Sequence, residues 1–214
     1  MKHIVKGDEP PSLTTHRQQT YADYDNYAGK NDLRAALLAE QGKICCYCMQ
    51  RISEDEKESK IEHRSSQSAH PERQLEYSNL LLACPGGEGE PSHLLHCDTH
   101  KGNDDITVNP ADRTRNCELH VKYYPDGRIY SDNADIDRDL CSTLNMNLQT
   151  LINNRKAVLD GAIESLRRVR PDGKWNRNFL EKEKKKWQAR GQDGSYMPYC
   201  QIVVAHLDKK LNRL

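Results

Sequence analysis

Apolar residues along the chain follow two rhythms. From Asn31 to Gln41 the stretch DLRAALLAEQ is rich in good helix formers, with a plausible cap at Asn31 or Asp32 and Gly42 where the helix should stop. ELHVKYYPDGRIYSD alternates as strands do and turns at Pro125-Asp126-Gly127, predicting a β-hairpin. A helical rhythm then returns through TLNMNLQTLINNRKAVLDGAIESLRRVR, where Leu144, Leu148, Leu151, Val158, Leu159, Ile163 and Leu166 fall near a 3.6-residue period. WNRNFLEKEKKKWQAR sets Trp175, Phe179 and Trp187 among basic residues, either a grip on a phosphate backbone or an ordinary solvated amphipathic helix. A last helix is predicted from near Pro198, carrying Ile202, Val203, Leu207, Leu211 and Leu214 on one side, to pack on the preceding helices. Residues 1 to 20 are polar and contain Pro10-Pro11, so they read as an extended arm.

Composition narrows what these elements can build. Of 214 residues, 36% are hydrophobic, 30% are charged and a single one is Phe, so the core is small and needs support from a metal or a partner. Lys plus Arg and Asp plus Glu number 32 each, so a nucleic-acid-binding face would have to be local. No segment has the length and apolarity of a membrane span or a secretion signal, and the expected location is the cytoplasm. Eight cysteines in that setting point to metal ligation rather than disulfides.

The chemistry concentrates between residues 43 and 103. Cys45 and Cys48 have the two-residue spacing that lets thiolates in a tight turn reach adjacent corners of a zinc tetrahedron. Cys84 and Cys97 would complete it, although their twelve-residue spacer PGGEGEPSHLLH is irregular. Cys46 could replace Cys45, and His93 or His96 could replace Cys97. Cys117, Cys141 and Cys200 have no ligand spacing and read as structural. KIEHRSSQ places Glu62 and His63 at a short strand, where an imidazole can take a proton from water and a neighbouring carboxylate can hold a hard divalent cation. Asn79 could cap or brace the loop presenting His63, and Asp98, directly after Cys97, could cap a short helix and offer an oxygen to a metal. Lys101 could contact phosphate.

Taken in order, Cys45-x2-Cys48, Ile61-Glu62-His63, Asn79-Leu80-Leu81-Leu82-Ala83-Cys84 and Cys97-Asp98-x2-Lys101-Gly102-Asn103 resemble the HNH endonuclease motif in its zinc-stapled form. The resemblance covers roughly residues 31 to 110. It implies a ββα-metal fold with His63 as general base, Glu62 as a ligand of the catalytic Mg²⁺ or Mn²⁺, Asn79 orienting the loop and Asp98 completing the ion site, with His100 as a rival for that place. Lys101 and Arg64 would then contact nucleic acid. Two departures stand out: the second Cys pair is stretched, and the final His or Asn of the motif is Asp98. The whole chain also resembles the PtuB-type HNH proteins of Septu and retron anti-phage systems. That likeness implies a PtuA-type ATPase partner and, in retron versions, a reverse transcriptase with its RNA and reverse-transcribed DNA. The chain has no GxxxxGK[ST] motif of its own, so nucleotide-driven control would come from another chain.

The expected architecture is therefore α+β. It comprises an N-terminal arm (1–30), a zinc-stabilised ββα-metal nuclease core with the following β-hairpin (31–135) and a helical C-terminal region (136–214). The expected reaction is metal-dependent phosphodiester hydrolysis, with DNA the favoured substrate, as the effector of a defence system. Two rivals stand beside it: the same site acting on structured RNA such as tRNA, and a catalytically inactive zinc-binding adaptor for the ATPase.

Overall fold

A computed structural model describes residues 1–171 and 173–214. The first departure from expectation is at the start of the chain. Pro11 opens α1 (Pro11–Arg17), where proline's fixed φ suits a first helical turn, and Leu13 is fully buried beneath it. Ahead of the helix, Ile4 donates its N–H to the Pro110 carbonyl at 2.8 Å. Lys6 is sunk between the Glu40 carboxylate, the Leu80 carbonyl (2.8 Å) and the face of Tyr77 (3.7 Å to the ring centre). The opening segment is thus packed into the core rather than extended from it.

Helix α2 (Lys30–Gln41) buries Leu33, Leu37 and Leu38 and stops at Gly42, whose left-handed φ of 63° a side chain would resist. Two short strands follow, β1 (Lys60–His63) and β2 (Leu80–Ala83), paired antiparallel with Glu62 opposite Leu81 and His63 opposite Leu80. All four residues of β2 are buried. The short helix α3 (Cys97–Lys101) comes next, and a second antiparallel pair, β3 (Lys122–Tyr123) with β4 (Ile129–Tyr130), turns through Asp126-Gly127 as its alternation predicts.

The helical half begins with α4 (Ala134–Arg138), which runs on as a wide π-type turn over Asp139–Thr143. The long helix α5 spans Gln149–Val169, so Leu144 and Leu148 lie before it rather than within it. Asparagines make the difference. Asn145 has φ 47° and donates to the Leu95 carbonyl at 2.8 Å, while Asn147 both donates to the Ile129 carbonyl (3.0 Å) and accepts from the Ile129 N–H (2.9 Å). These side chains give the backbone partners that helix formation would forfeit. Helices α6 (Arg177–Gln188) and α7 (Cys200–Leu211) close the chain. Leu159 and Leu166 of α5, Leu180 of α6, and Ile202, Val203 and Leu207 of α7 share one apolar cluster. Trp175, Phe179 and Trp187 pack against that cluster, which identifies them as packing residues and not as an outward aromatic row. Leu214 is exposed. No described helix is long and apolar enough to cross a membrane.

Candidate metal centre and adjoining polar site

The turn after α2 is built to present sulfur. Ile44 and Arg51 form an antiparallel bridge, the Cys45 N–H donates to the Gln50 carbonyl (2.9 Å), and the Met49 N–H returns to the Cys45 carbonyl (3.1 Å). This knuckle points Cys45 and Cys48 inward. The spacer between Cys84 and Cys97 closes on itself: the His96 N–H donates to the Gly86 carbonyl at 2.9 Å, and a Cβ on Gly86 would lie 2.2 Å from the His96 carbonyl oxygen. The twelve-residue insertion therefore leaves and returns at one point, delivering Cys97 beside Cys84.

The four sulfurs of Cys45, Cys48, Cys84 and Cys97 lie within 4.8 Å of one another and are all buried. Cys45 Sγ is 3.9 Å from Cys97 Sγ, and Cys48 Sγ is 3.7 Å from Cys84 Sγ. A tetrahedron with Zn–S bonds of about 2.3 Å has edges of about 3.8 Å, whereas a disulfide needs about 2.05 Å. The quartet could hold a metal such as zinc. Burial pushes the Cys45 thiol up, but hydrogen bonds from Cys46, Cys48, Cys84 and Cys97 outweigh it and hold Cys45 well below the usual thiol range. Cys46 is not one of the four: its N–H lies on the Leu82 carbonyl (3.1 Å) and its thiol, pushed far up by burial, hydrogen-bonds Cys45 from beside the quartet. His93 is exposed. His96 supports the quartet from outside it, its Nδ1 3.2 Å from Cys97 Sγ, while burial keeps the ring neutral. Cys117 and Cys200 are buried and Cys141 is half-buried, all outside the quartet.

Beside the quartet, β1 and α3 bring a second set of polar groups together. Glu62 is almost fully buried. Its Oε1 accepts from the Tyr47 hydroxyl at 2.6 Å and meets Lys101 Nζ at 3.2 Å, leaving Oε2 free of both. Burial and the adjoining Asp98 carboxyl, hydrogen-bonded to it, push Glu62 well above the usual carboxylate range against the opposing pull of Lys101 and Tyr47. The buried Glu62 carboxyl and the half-buried Asp98 carboxyl beside it offer oxygens of the kind a hard divalent cation takes. Lys101, read from the sequence as a phosphate contact, is instead an internal cation: 2% exposed, it also donates to the His63 carbonyl at 3.3 Å. Lys60 reaches Asp98 at 4.0 Å from the solvent side.

His63 follows Glu62 on the strand and faces elsewhere. Its Nε2 is 3.0 Å from the Gln74 carbonyl, which can only accept, so the proton sits on Nε2 and the lone pair on Nδ1. Burial lowers the ring's pKa, with Gln74 and Asp98 opposing, so the imidazole is neutral near pH 7. Tyr24 stands edge-on to the ring with centroids 4.4 Å apart, and its backbone N–H donates to Gln74 Oε1 at 3.1 Å. Asn79 is fully buried: Oδ1 accepts from the Ser65 N–H (2.9 Å), and Nδ2 donates to the Ser65 (3.0 Å) and Arg73 (3.2 Å) carbonyls. It ties together both ends of the loop that follows His63. Arg64 is half-buried, donating to the Ile106 carbonyl at 3.0 Å and to Ser65 Oγ at 3.1 Å. His100 directs Nδ1 to the Thr143 carbonyl at 3.0 Å. Tyr47, Gln74 and Tyr24 carried no signal in the sequence, because only the folded register sets them against Glu62 and His63.

No family model matches the chain. Over 128 residues it is 23% identical to the Septu protein PtuB of Bacillus thuringiensis, a stretch that covers 58% of this chain and 47% of that protein. The likeness thus spans less than half the length of that relative.

Proposed function

We propose that the chain is an HNH-type, metal-dependent endonuclease that hydrolyses phosphodiester bonds, DNA in preference to RNA, as the nuclease of an anti-phage system working with a PtuA-type ATPase. The observation that carries this reading is a buried, neutral imidazole whose proton is held on Nε2 by the Gln74 carbonyl and which feels the charge of Asp98, the neighbour of the Glu62 carboxyl. Similarity to a Septu PtuB supports the defence context, and the ATPase partner is what the resemblance of the sequence to PtuB-type proteins implies.

In the mechanism, His63 Nδ1 takes the proton of a water that attacks phosphorus. Asn79 holds the loop after His63, and the Gln74 carbonyl stabilises the imidazolium that forms, through the Nε2–H it already accepts. Glu62 through Oε2 and Asp98 are the residues that would hold a Mg²⁺- or Mn²⁺-like ion, whose chemistry is to neutralise charge building on the phosphate oxygens. Lys101 sets the charge of that pair, since its ammonium already occupies Glu62 Oε1. The saturation of Oε1 by Tyr47 and Lys101 also favours a second reading, a metal-stapled adaptor without turnover.

The deciding experiment offers plasmid DNA and total tRNA, with Mg²⁺ or Mn²⁺, to the wild type and to His63→Ala, each with and without the ATPase. Cleavage of DNA by the wild type, lost in His63→Ala while zinc content is unchanged, is the expected result. A His63→Ala protein that cuts normally ends the nuclease assignment of His63, preferential cutting of tRNA moves the substrate to RNA, and absence of cutting under every condition favours the adaptor.

A further inference from the structure

Arg155 of α5 has none of its surface exposed. Its Nε donates to the Gly127 carbonyl and its Nη2 to the Met146 carbonyl, each at 2.6 Å, while Nη1 is enclosed without a hydrogen-bond partner. The groups whose negative charge would favour the guanidinium most are Tyr123, Cys48, Tyr199 and Cys97. An unpaired buried charge is among the costliest features a fold can carry. Both tyrosines are excluded as compensating anions, because burial pushes each phenol well above its usual range and keeps it neutral. The other two are sulfurs. Cys48 and Cys97 belong to the quartet, and four thiolates around a divalent ion leave a net anion.

The hydrogen bonds lead to the same place. Met146 lies two residues beyond Leu144, whose carbonyl accepts the Cys97 N–H at 2.9 Å. Cys97 starts α3 with φ 56°, a conformation that a non-glycine residue holds only when its surroundings impose it. By clamping Met146, Arg155 fixes the segment that imposes it. The same guanidinium secures the tip of the β3–β4 turn through Gly127, where a Cβ would lie 2.3 Å from the Ile152 carbonyl oxygen.

We propose that Arg155 is the internal counter-cation of the metal–thiolate cluster and the clamp on the segment that sets Cys97, so that metal occupancy and the seating of α5 rise and fall together. The inference rests on the reading of the quartet as a metal centre and is independent of nuclease activity. It makes Arg155 a positioning residue that acts through the sulfurs.

The test compares full-length wild type, Arg155→Lys and Arg155→Gln. Zinc content is measured first, then the rate of zinc release to a chromogenic chelator, then the thiolate-to-metal charge-transfer band of the Co²⁺-substituted proteins. The expected result is zinc binding weakened by about 10- to 100-fold in Arg155→Gln, the span seen when partners behind metal ligands are removed. Its Co²⁺ band should move to longer wavelength, because sulfur lone pairs rise in energy once the cation is gone. Arg155→Lys keeps the charge with fewer hydrogen bonds and should stay near the wild type in both readouts. A purely structural arginine would leave the band unmoved and make the two variants alike. Should Arg155→Gln fail to fold, Arg155→Lys decides, and rapid zinc loss from it overturns the inference. A wild type that holds no metal overturns the reading of the quartet and this inference with it; a metal-bearing wild type matched by Arg155→Gln overturns this inference alone.

Discussion

Lys101 shows how far a single side chain can stand from its residue type. A lysine in Lys-Gly-Asn after a cysteine invites a phosphate contact, yet its ammonium is buried 3.2 Å from Glu62 with both side chains almost inaccessible. Removing one member of such a pair leaves the other uncompensated, which typically costs about 3–5 kcal/mol. Lys101→Met should therefore lower the unfolding free energy by about 3 kcal/mol, read from urea titration with zinc present. A loss under about 1 kcal/mol would mean that protonation of Glu62, and not Lys101, neutralises the site. Glu62 carries two demands at once, since the oxygen not engaged by Tyr47 and Lys101 is also the one available to an ion.

At the scale of elements, the quartet joins three separate pieces of the chain. The knuckle contributes Cys45 and Cys48, the end of β2 contributes Cys84, and the first residue of α3 contributes Cys97, while both strand pairs are too short for independent stability. Cys48→Ala should cost bound metal and cooperative unfolding together, with metal counted by mass spectrometry and unfolding followed by calorimetry; loss of metal with the melting transition unchanged would show that packing alone suffices. Half of the quartet was legible in the sequence because Cys45 and Cys48 have zinc-ligand spacing, the Cys84–Cys97 half being irregular, and the β3–β4 hairpin because Pro-Asp-Gly interrupts an alternation. The opening helix and the start of α5 were not. Polar composition around Pro10-Pro11 hid the buried Leu13 and His16 that seat α1, and the apolar rhythm through Leu144 and Leu148 concealed asparagines that use their amides on Ile129 and Leu95. Both failures are tertiary partners overriding a local pattern. The setting of Glu62 against Tyr47, and of His63 against Gln74, belongs to the same class, since each is fixed by register across elements.

For the molecule as a whole, equal numbers of acidic and basic residues mean that any grip on nucleic acid must come from local arrangement. Helix α6 is the most lysine-rich candidate, but its aromatic residues turn inward, Lys184 pairs with Asp208, and Lys186 pairs with Glu183. What faces solvent from Lys182 and Lys185 is charge without a stacking platform. Changing Lys182, Lys185 and Lys186 together to Glu should leave the affinity of His63→Ala protein for duplex DNA, and the dependence of that affinity on salt, as in the parent. Each true phosphate contact adds about 0.9 to the slope of log affinity against log salt, so three lost contacts would flatten it by nearly 3. A flattening of 1 or more would place the DNA path over α6, and would give the C-terminal helices a binding role beside the packing role that their shared apolar cluster already defines.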